Sequence, residues 1–381
     1  MSHVIFTEEH QIFRNAFRRY LEKEVVPYVE EWEREGEVPR SAWLKMGEQG
    51  FLCPWLEERY GGSGADFQYS VIIAEEMARV GVLGFSVSLH SDIVVPYIHS
   101  YGSEEQKDRW LPKCTTGEIV TAIAMTEPDA GSDLQAIKTR ALRHGDHYVI
   151  NGSKTFITNG YCCDLVIVVC KTDPHADPPR RGMSLIAVEA GTPRFVKNRK
   201  LSKMGLHMSD TAELTFEDCR VPAQNLIGEE GRGFSYLMQQ LQQERLIAVI
   251  RTQASAEAML DLTIQYCKER HAFGRPIGTF QHNTFKIVEM ATEVELGRTF
   301  LMDLIEDHIN GRDIVMKVSM AKWWIAEMAN RVAYNCVQLH GGYGFMEEYP
   351  ICKWYRDIRA TSIYAGTTEI MKYIIGKMLG F

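Results

Sequence analysis

A chain of 381 residues exceeds what one hydrophobic core usually serves, so two or three subdomains are expected. A composition of 45% hydrophobic and 24% charged residues is ordinary for a globular protein, and a formal net charge of -8 argues against a nucleic-acid surface as its main business. No run approaches the roughly 18 apolar residues of a membrane-crossing helix, so no membrane span is expected.

The amino-terminal stretch MSHVIFTEEHQIF carries two early Glu residues and lacks both an apolar core and an Arg/Ser-rich leader. Thr7 followed by Glu8 and Glu9 predicts a capped helix start, running into the amphipathic HQIFRNAFRRYLEKEVVPYVEEW. Ser103 and Gln106 have capping-box spacing, and residues 1–117 read as a helical domain. From 118 to 227 the period changes. Asn151-Gly152 lies between short β-branched runs and predicts a hairpin turn, and DLVIVVCKT, MSLIAVEAG and TAELTFEDCRV read as strands. DPHADPPRRG (173–182) is the best candidate for a flexible loop. From 228 to 381 the pattern is helical again. Residues 235–270 contain no Gly or Pro, which predicts a helix of about 50 Å. Further helices are predicted over about 282–309, 312–339 and 367–378.

The nine cysteines form no CxxC pair and no zinc-spaced cluster with His, so no metal site is expected. An odd count without a framework fits a reducing compartment, where most thiols act as small buried hydrophobes. A cytoplasmic location of bacterial type is expected, or a mitochondrial matrix location if a transit peptide has been removed.

Chemistry is suggested at five places. AMTEPDAGSD (124–133) is a tight Pro/Gly turn in which backbone N–H groups near Gly131, with φ > 0, would approach an anion, aided by the hydroxyls of Thr126 and Ser132. A plain helix-to-strand turn explains the same residues and is the simpler reading of the spacing alone. In ERHAFGRPIGTFQ (269–281), Arg270 and Arg275 flank Phe273 and suit a pyrophosphate; the plainer reading is a basic helix end with Gly274 as its stop. VQLHGGYGF (337–345) permits close backbone approach to a ligand, or is a helix cap. In SIYAGTTEI (362–370), Ala365 and Gly366 precede a Thr-Thr-Glu helix start, where a pocket wall would offer nothing beyond a methyl group.

The fifth place, LQQERLIAVI (241–250), lies in the middle of the long helix. Helical spacing puts Leu237, Leu241, Glu244 and Ala248 on one stripe. A Glu beside an Arg is commonly a solvated surface pair. A carboxylate on an apolar stripe would instead have a raised pKa, as a general base near neutral pH requires.

Taken together and in order, TEPDAGSD, FITNG, KMGLHMSDTAELTFEDCRVPAQNLIGEEGRGF (203–234), RHAFGRPIGTFQ, QLHGGYGFMEEYPICKWYRD (338–357) and IYAGTTEI closely resemble the acyl-CoA dehydrogenase family over the whole chain. The ERL on the long helix is most similar to the long-chain branch. The resemblance implies an α+β, mainly α fold: an N-terminal helical domain, a middle β-barrel-like domain and a C-terminal four-helix bundle. It implies FAD, a homotetramer built as a dimer of dimers, an acyl-CoA substrate and an electron-transfer flavoprotein as acceptor.

By the same resemblance Ile123, Met125, Thr126, Gly131, Ser132, Phe156 and Thr158 line the flavin, with Phe156 standing where the family usually has Trp. Arg270, Phe273, Gln281, Gln338, Gly341 and Gly342 would hold FAD bound mainly by a neighbouring subunit, and Thr367 and Glu369 lie near its phosphates and ribose. Ser132, Arg245, Ala365 and Gly366 would meet the substrate. Many members carry the catalytic Glu at the position of Ala365. The isovaleryl and long-chain branch carries it on the long helix, which makes Glu244 the expected base and leaves Ala365 its N–H.

Overall fold

The computed structural model describes residues 6–381, so the first five residues of the amino-terminal stretch lie outside the described residues. The chain opens with helices α1 (Glu8–Glu24), α2 (Val29–Glu35), α3 (Arg40–Glu48), α4 (Phe67–Arg79), α5 (Val95–Tyr101) and α6 (Glu104–Thr116). Both capping expectations hold: Thr7 and His10 close a reciprocal box on α1, and Ser103 and Gln106 close one on α6.

The middle of the chain supplies β1 (Thr121–Ala124), β2 (Arg140–His144), β3 (His147–Ile157), β4 (Leu165–Lys171), β5 (Met183–Glu189), β6 (Phe195–Lys200), β7 (Ala212–Pro222) and β8 (Leu226–Ile227). They form one sheet in the order β6-β7-β3-β2-β4-β5-β8, with β1 alongside β4 in parallel. β4 and β5 are buried along nearly their whole length, because helices cover the face that sheet side chains do not fill.

The expected hairpin at Asn151-Gly152 is corrected. The β2–β3 turn is made by Gly145-Asp146, and Asn151-Gly152 lies inside β3 at a register shift against β7. The Asn151 amide exchanges hydrogen bonds with Asp218 across that bulge. Gly152 is required there by space: a Cβ would stand 2.4 Å from Thr139 Oγ1 and 2.7 Å from its Cα. The 173–182 segment is closed on itself, with the Thr172 and Asp173 N–H groups donating to the Gly182 carbonyl.

The carboxyl-terminal part contains α7 (Gly233–Glu269), the short strands β9 (His271–Ala272) and β10 (Arg275–Pro276), then α8 (Gln281–Ile309), α9 (Val315–His340), α10 (Pro350–Ile358) and α11 (Thr368–Met378). Gly274 is not the stop of the long helix. α7 ends at Glu269, and Phe273-Gly274 is the turn of the β9–β10 hairpin. α7 has 37 residues and packs against α4, α8, α9 and α10, so the largest core cluster is built around it. No helix among the described residues is long and apolar enough to cross a membrane.

Buried charges tie the helical parts together. Glu75 of α4 is ion-paired with Arg14 of α1 and Arg298 of α8, while Arg298 also donates to Glu257 of α7 at 2.6 Å. Burial pushes the Glu75 carboxyl up, but the two guanidinium groups outweigh it and hold the group below its ordinary value. Arg298→Met leaves Glu75 buried with one partner fewer and is expected to destabilise the fold by about 3 kcal/mol. Thermal unfolding measures this, and the double variant Glu75→Gln/Arg298→Met is expected to recover part of the loss.

Candidate active site

Three chain segments carry the candidate site residues. The first is the turn after β1, and its floor is a buried ion pair. Lys154 Nζ lies 2.8 Å from Glu127 Oε1 and also donates to the Met125 carbonyl at 3.0 Å. Glu127 further accepts from the Lys138 N–H at 2.5 Å and the Thr139 N–H at 3.0 Å. Burial raises the Glu127 carboxyl, yet Lys154 and these donors leave it below its ordinary value.

This frame fixes the main chain at 125–130, and the Thr155 N–H ties it to β3 through the Thr126 carbonyl at 3.0 Å. Ile123 and Met125 are half-buried against the cluster that contains Tyr97, Tyr236 and Leu237. The hydroxyls of Thr126, Ser132 and Thr158 make no hydrogen bond to other described residues. Gly131 stays out of the positive-φ region expected of it, but no atom stands within 4 Å of where its Cβ would be. Phe156 is held at φ 59° and is 68% exposed, so its ring is presented outward beside the turn.

The second segment is the middle of α7. Leu237, Leu241, Glu244 and Ala248 are all buried, as the stripe predicts, and the solvated-pair reading of Glu244 is excluded because Glu244 and Arg245 are both buried. Glu244 Oε1 accepts from the Tyr97 phenol at 2.6 Å. Burial pushes the Glu244 carboxyl up to about 7, against the opposing pull of the Tyr97 hydrogen bond and the Arg245 charge. Arg245 is not ion-paired with its neighbour, and its Nε has no hydrogen-bond partner.

The third segment runs from Thr361 to Thr367. Ala365 at φ 54° and Gly366 at φ 94° turn the chain sharply before Thr367 caps α11 through the Ile370 N–H. A Cβ at Gly366 would press on the flexible Met371 Cε at 2.5 Å and lie 3.9 Å from Arg245 Nε, and the φ of 94° strains any side chain there. The Ala365 and Gly366 N–H groups make no hydrogen bond to another described residue. Lys322 of α9 clamps this loop from beneath, donating to the Thr361 carbonyl at 2.6 Å and the Gly366 carbonyl at 2.7 Å. Burial, with Arg245 adding to it, brings the Lys322 ammonium down to about 8 against the opposing charges of Glu327 and Glu369.

Gly366 is thus brought near Arg245, the chain neighbour of Glu244, and Ile123 to Thr158 gather around the ion-paired turn. Arg270, Phe273, Gln281, Gln338, Gly341 and Gly342 are not brought to this place. They cluster at the far end of α7, about 39 Å along its axis from Glu244. There Phe273 is 95% exposed at the hairpin tip, and the Arg270 guanidinium lies 5.5 Å over the Tyr343 ring. Glu369 is exposed in the first turn of α11. Tyr97, Lys154 and Lys322 carry no sequence signal as site residues; only a Lys within an apolar helical run such as MAKWWIAEMA hints at a buried cation.

The arrangement suits acid–base chemistry: a buried carboxyl poised to change charge near neutral pH lies on α7 beside Arg245, which the turn at Gly366 approaches. Comparison with known proteins is more specific. Profiles of the N-terminal, middle and C-terminal domains of acyl-CoA dehydrogenase match residues 7–118, 122–219 and 231–380. The mitochondrial long-chain specific acyl-CoA dehydrogenase of Rattus norvegicus is 48% identical, over 98% of this chain and 87% of that protein. The mitochondrial isovaleryl-CoA dehydrogenase of Pongo abelii is 36% identical, over 97% of this chain and 88% of that protein. A crystal structure of acyl-CoA dehydrogenase from Geobacillus kaustophilus superposes with a TM-score of 0.97 at 59% identity, covering 99% of each chain. The chain belongs to the acyl-CoA dehydrogenase family, whose members are FAD-dependent oxidoreductases.

Removing the clamp is testable without substrate. Lys322→Met is expected to speed hydrogen exchange of the bonded Ile363 and Tyr364 amides by at least about tenfold, since the loop loses two hydrogen bonds from a charged donor, each worth about 1.5–3 kcal/mol. Mass spectrometry of peptides spanning that loop reads the change, with α1 peptides as the unaffected control.

Proposed function

We propose that the protein dehydrogenates a saturated acyl-CoA thioester to the trans-2-enoyl-CoA, with Glu244 as the base that removes the α-proton. The observation that carries this reading is the Glu244 carboxyl, buried on α7 without an ion pair and pushed up to about 7. A base of that strength is about half ionised at neutral pH and strong enough to take a proton from carbon once the charge it creates is stabilised. The unpaired N–H of Ala365 supplies that stabilisation, donating to the thioester oxygen as negative charge develops on it. The small side chain of Ala365 leaves room for the α-carbon because the carboxylate comes from α7.

The residues present fit FAD. Thr126, Ser132 and Thr158 offer hydroxyls without partners, Gly131, Gly341 and Gly342 have open space at their Cβ positions, and Phe156 offers an exposed ring. Bound there, FAD supplies the acceptor for the hydride that leaves the β-carbon. Ile123, Met125, Thr126, Gly131, Ser132, Phe156 and Thr158 hold the flavin end, and Thr367 and Glu369 lie toward its ribose and phosphates. Arg270, Phe273, Gln281, Gln338, Gly341 and Gly342 serve FAD in a second copy of the chain. Their distance from Glu244 supports this division, as does the exposed apolar surface of Phe273, Phe345, Phe285 and Leu296.

A homotetramer built as a dimer of dimers is therefore proposed, with an electron-transfer flavoprotein as the electron acceptor. The higher identity to the long-chain enzyme favours long-chain substrates and fatty-acid β-oxidation. The isovaleryl relative keeps short branched acyl groups as the second reading.

The test is an anaerobic titration of the yellow protein with a panel of saturated acyl-CoAs, watching flavin absorbance. Bleaching by one chain class is expected. Glu244→Gln is expected to retain FAD and acyl-CoA binding while its bleaching rate falls by about 10²–10⁴-fold; a near-normal rate would falsify the assignment of the base. For the unaltered protein the rate is expected to rise with pH through about 7, because the ionised carboxylate is the active form and is protonated below that value. A profile flat from pH 6 to 8 would contradict it.

A further inference from the structure

We infer that Tyr97 is a positioning residue for Glu244: its phenol pins Oε1, fixes the plane of the carboxylate and leaves Oε2 as the oxygen that takes the proton. The inference rests on Glu244 being the base and adds how it is aimed.

Tyr97 is fully buried, in the cluster formed with Val94, Ile98, Tyr236 and Leu237, and Glu244 Oε1 is the acceptor for its hydroxyl. At 2.6 Å the contact lies in the range of a hydroxyl donating to a carboxylate. A free carboxylate at the end of a Glu side chain rotates about its last bond; a single short bond to one oxygen removes that freedom and presents the other oxygen in one direction.

The chain is shaped to bring the phenol there. Residues Leu89–Val94 form a π-turn directly before α5, and Pro96 lies in the first turn of α5. An extra residue in a helical turn rotates everything after it relative to a regular helix and loosens the main-chain ladder. The Asp92 carbonyl in that turn accepts from Gln243 Nε2 at 2.8 Å. Adjacent residues of α7, Gln243 and Glu244, are therefore bonded to one short segment, the first to its main chain and the second to the Tyr97 phenol. The second contact makes no use of the main chain, so it can be removed by itself.

The charged groups around the carboxylate are few. Tyr97 faces it from α5 and Arg245 lies beside it on α7. Asp92 in the π-turn is also pushed up by burial to about 7, against the opposing pull of a Ser70 hydrogen bond and the Arg251 charge, so it titrates in the same range and serves as the control.

The experiment is the pH profile of flavin bleaching by a saturated acyl-CoA in the FAD-loaded Tyr97→Phe variant. FAD content and KM are expected to stay near those of the unaltered protein. The acid limb is expected to move up by about one pH unit, which alone lowers kcat at pH 7 about fivefold, and a smaller deficit is expected to remain on the high-pH plateau because the carboxylate is no longer aimed. The sign follows from the phenol stabilising the ionised carboxylate; without it the proton is held more tightly. Site-specific 3-fluorotyrosine at position 97, a stronger donor of the same shape, is expected to move the limb down.

A merely structural Tyr97 would lower thermal stability and leave the limb in place in both variants, which overturns the inference. A limb that moves in Asp92→Asn and not in the Tyr97 variants overturns it too. If Glu244→Gln bleaches normally, the proposed function itself has failed; if Glu244→Gln is inactive and the limb does not follow Tyr97, only the positioning role has failed.

Discussion

Taking a carboxylate out of water costs several kcal/mol unless other groups compensate it, and the Glu244 carboxyl is compensated by one phenol and a guanidinium that does not reach it. Such a group survives only on a rigid support. α7 provides it: a 37-residue helix packed along its length by α4, α8, α9 and α10, with Leu237 and Leu241 sealing the stripe on one side of Glu244 and Ala248 on the other. The surrounding architecture can be understood as the means of keeping that one side chain dry and still.

The other buried charges near the site are handled differently, and the contrast sorts their roles. Glu127 and Lys154 neutralise each other, so the turn after β1 is fixed at any ordinary pH. Lys322 donates to main-chain carbonyls, and burial brings its ammonium down to about 8 while it secures both ends of the loop carrying Ala365. Glu244 has neither a counter-ion nor main-chain donors. The groups that hold structure here are paired or multiply bonded, whereas Glu244 keeps a single phenol hydrogen bond and a carboxyl poised to change charge near neutral pH.

Much of this was legible in the sequence for identifiable reasons. Thr7 and Ser103 cap their helices because a capping box is a local device, complete within four residues. The stripe through Glu244 was readable because helical periodicity alone assigns its face. Asn151-Gly152 misled because the same dipeptide that closes a hairpin also fits a bulge, and the choice was made by Thr139 pressing on Gly152 from another part of the chain. Gly274 misled in the same way, since a hairpin tip and a helix stop ask for the same residue. Tyr97, Lys154 and Lys322 were invisible because each acts on a partner 27 or more positions away, and nothing in their own neighbourhoods names that partner.

The central claim is that Glu244 itself takes the proton from the α-carbon. It is tested most directly with an acyl-CoA whose β-methylene is replaced by sulfur, so that no hydride can leave and only proton transfer remains. In D₂O the FAD-loaded protein should exchange the α-hydrogens of this compound for deuterium, read by proton NMR, and Glu244→Gln should not. Undiminished exchange in Glu244→Gln would mean that the base lies elsewhere and that the buried carboxylate on α7 has another purpose.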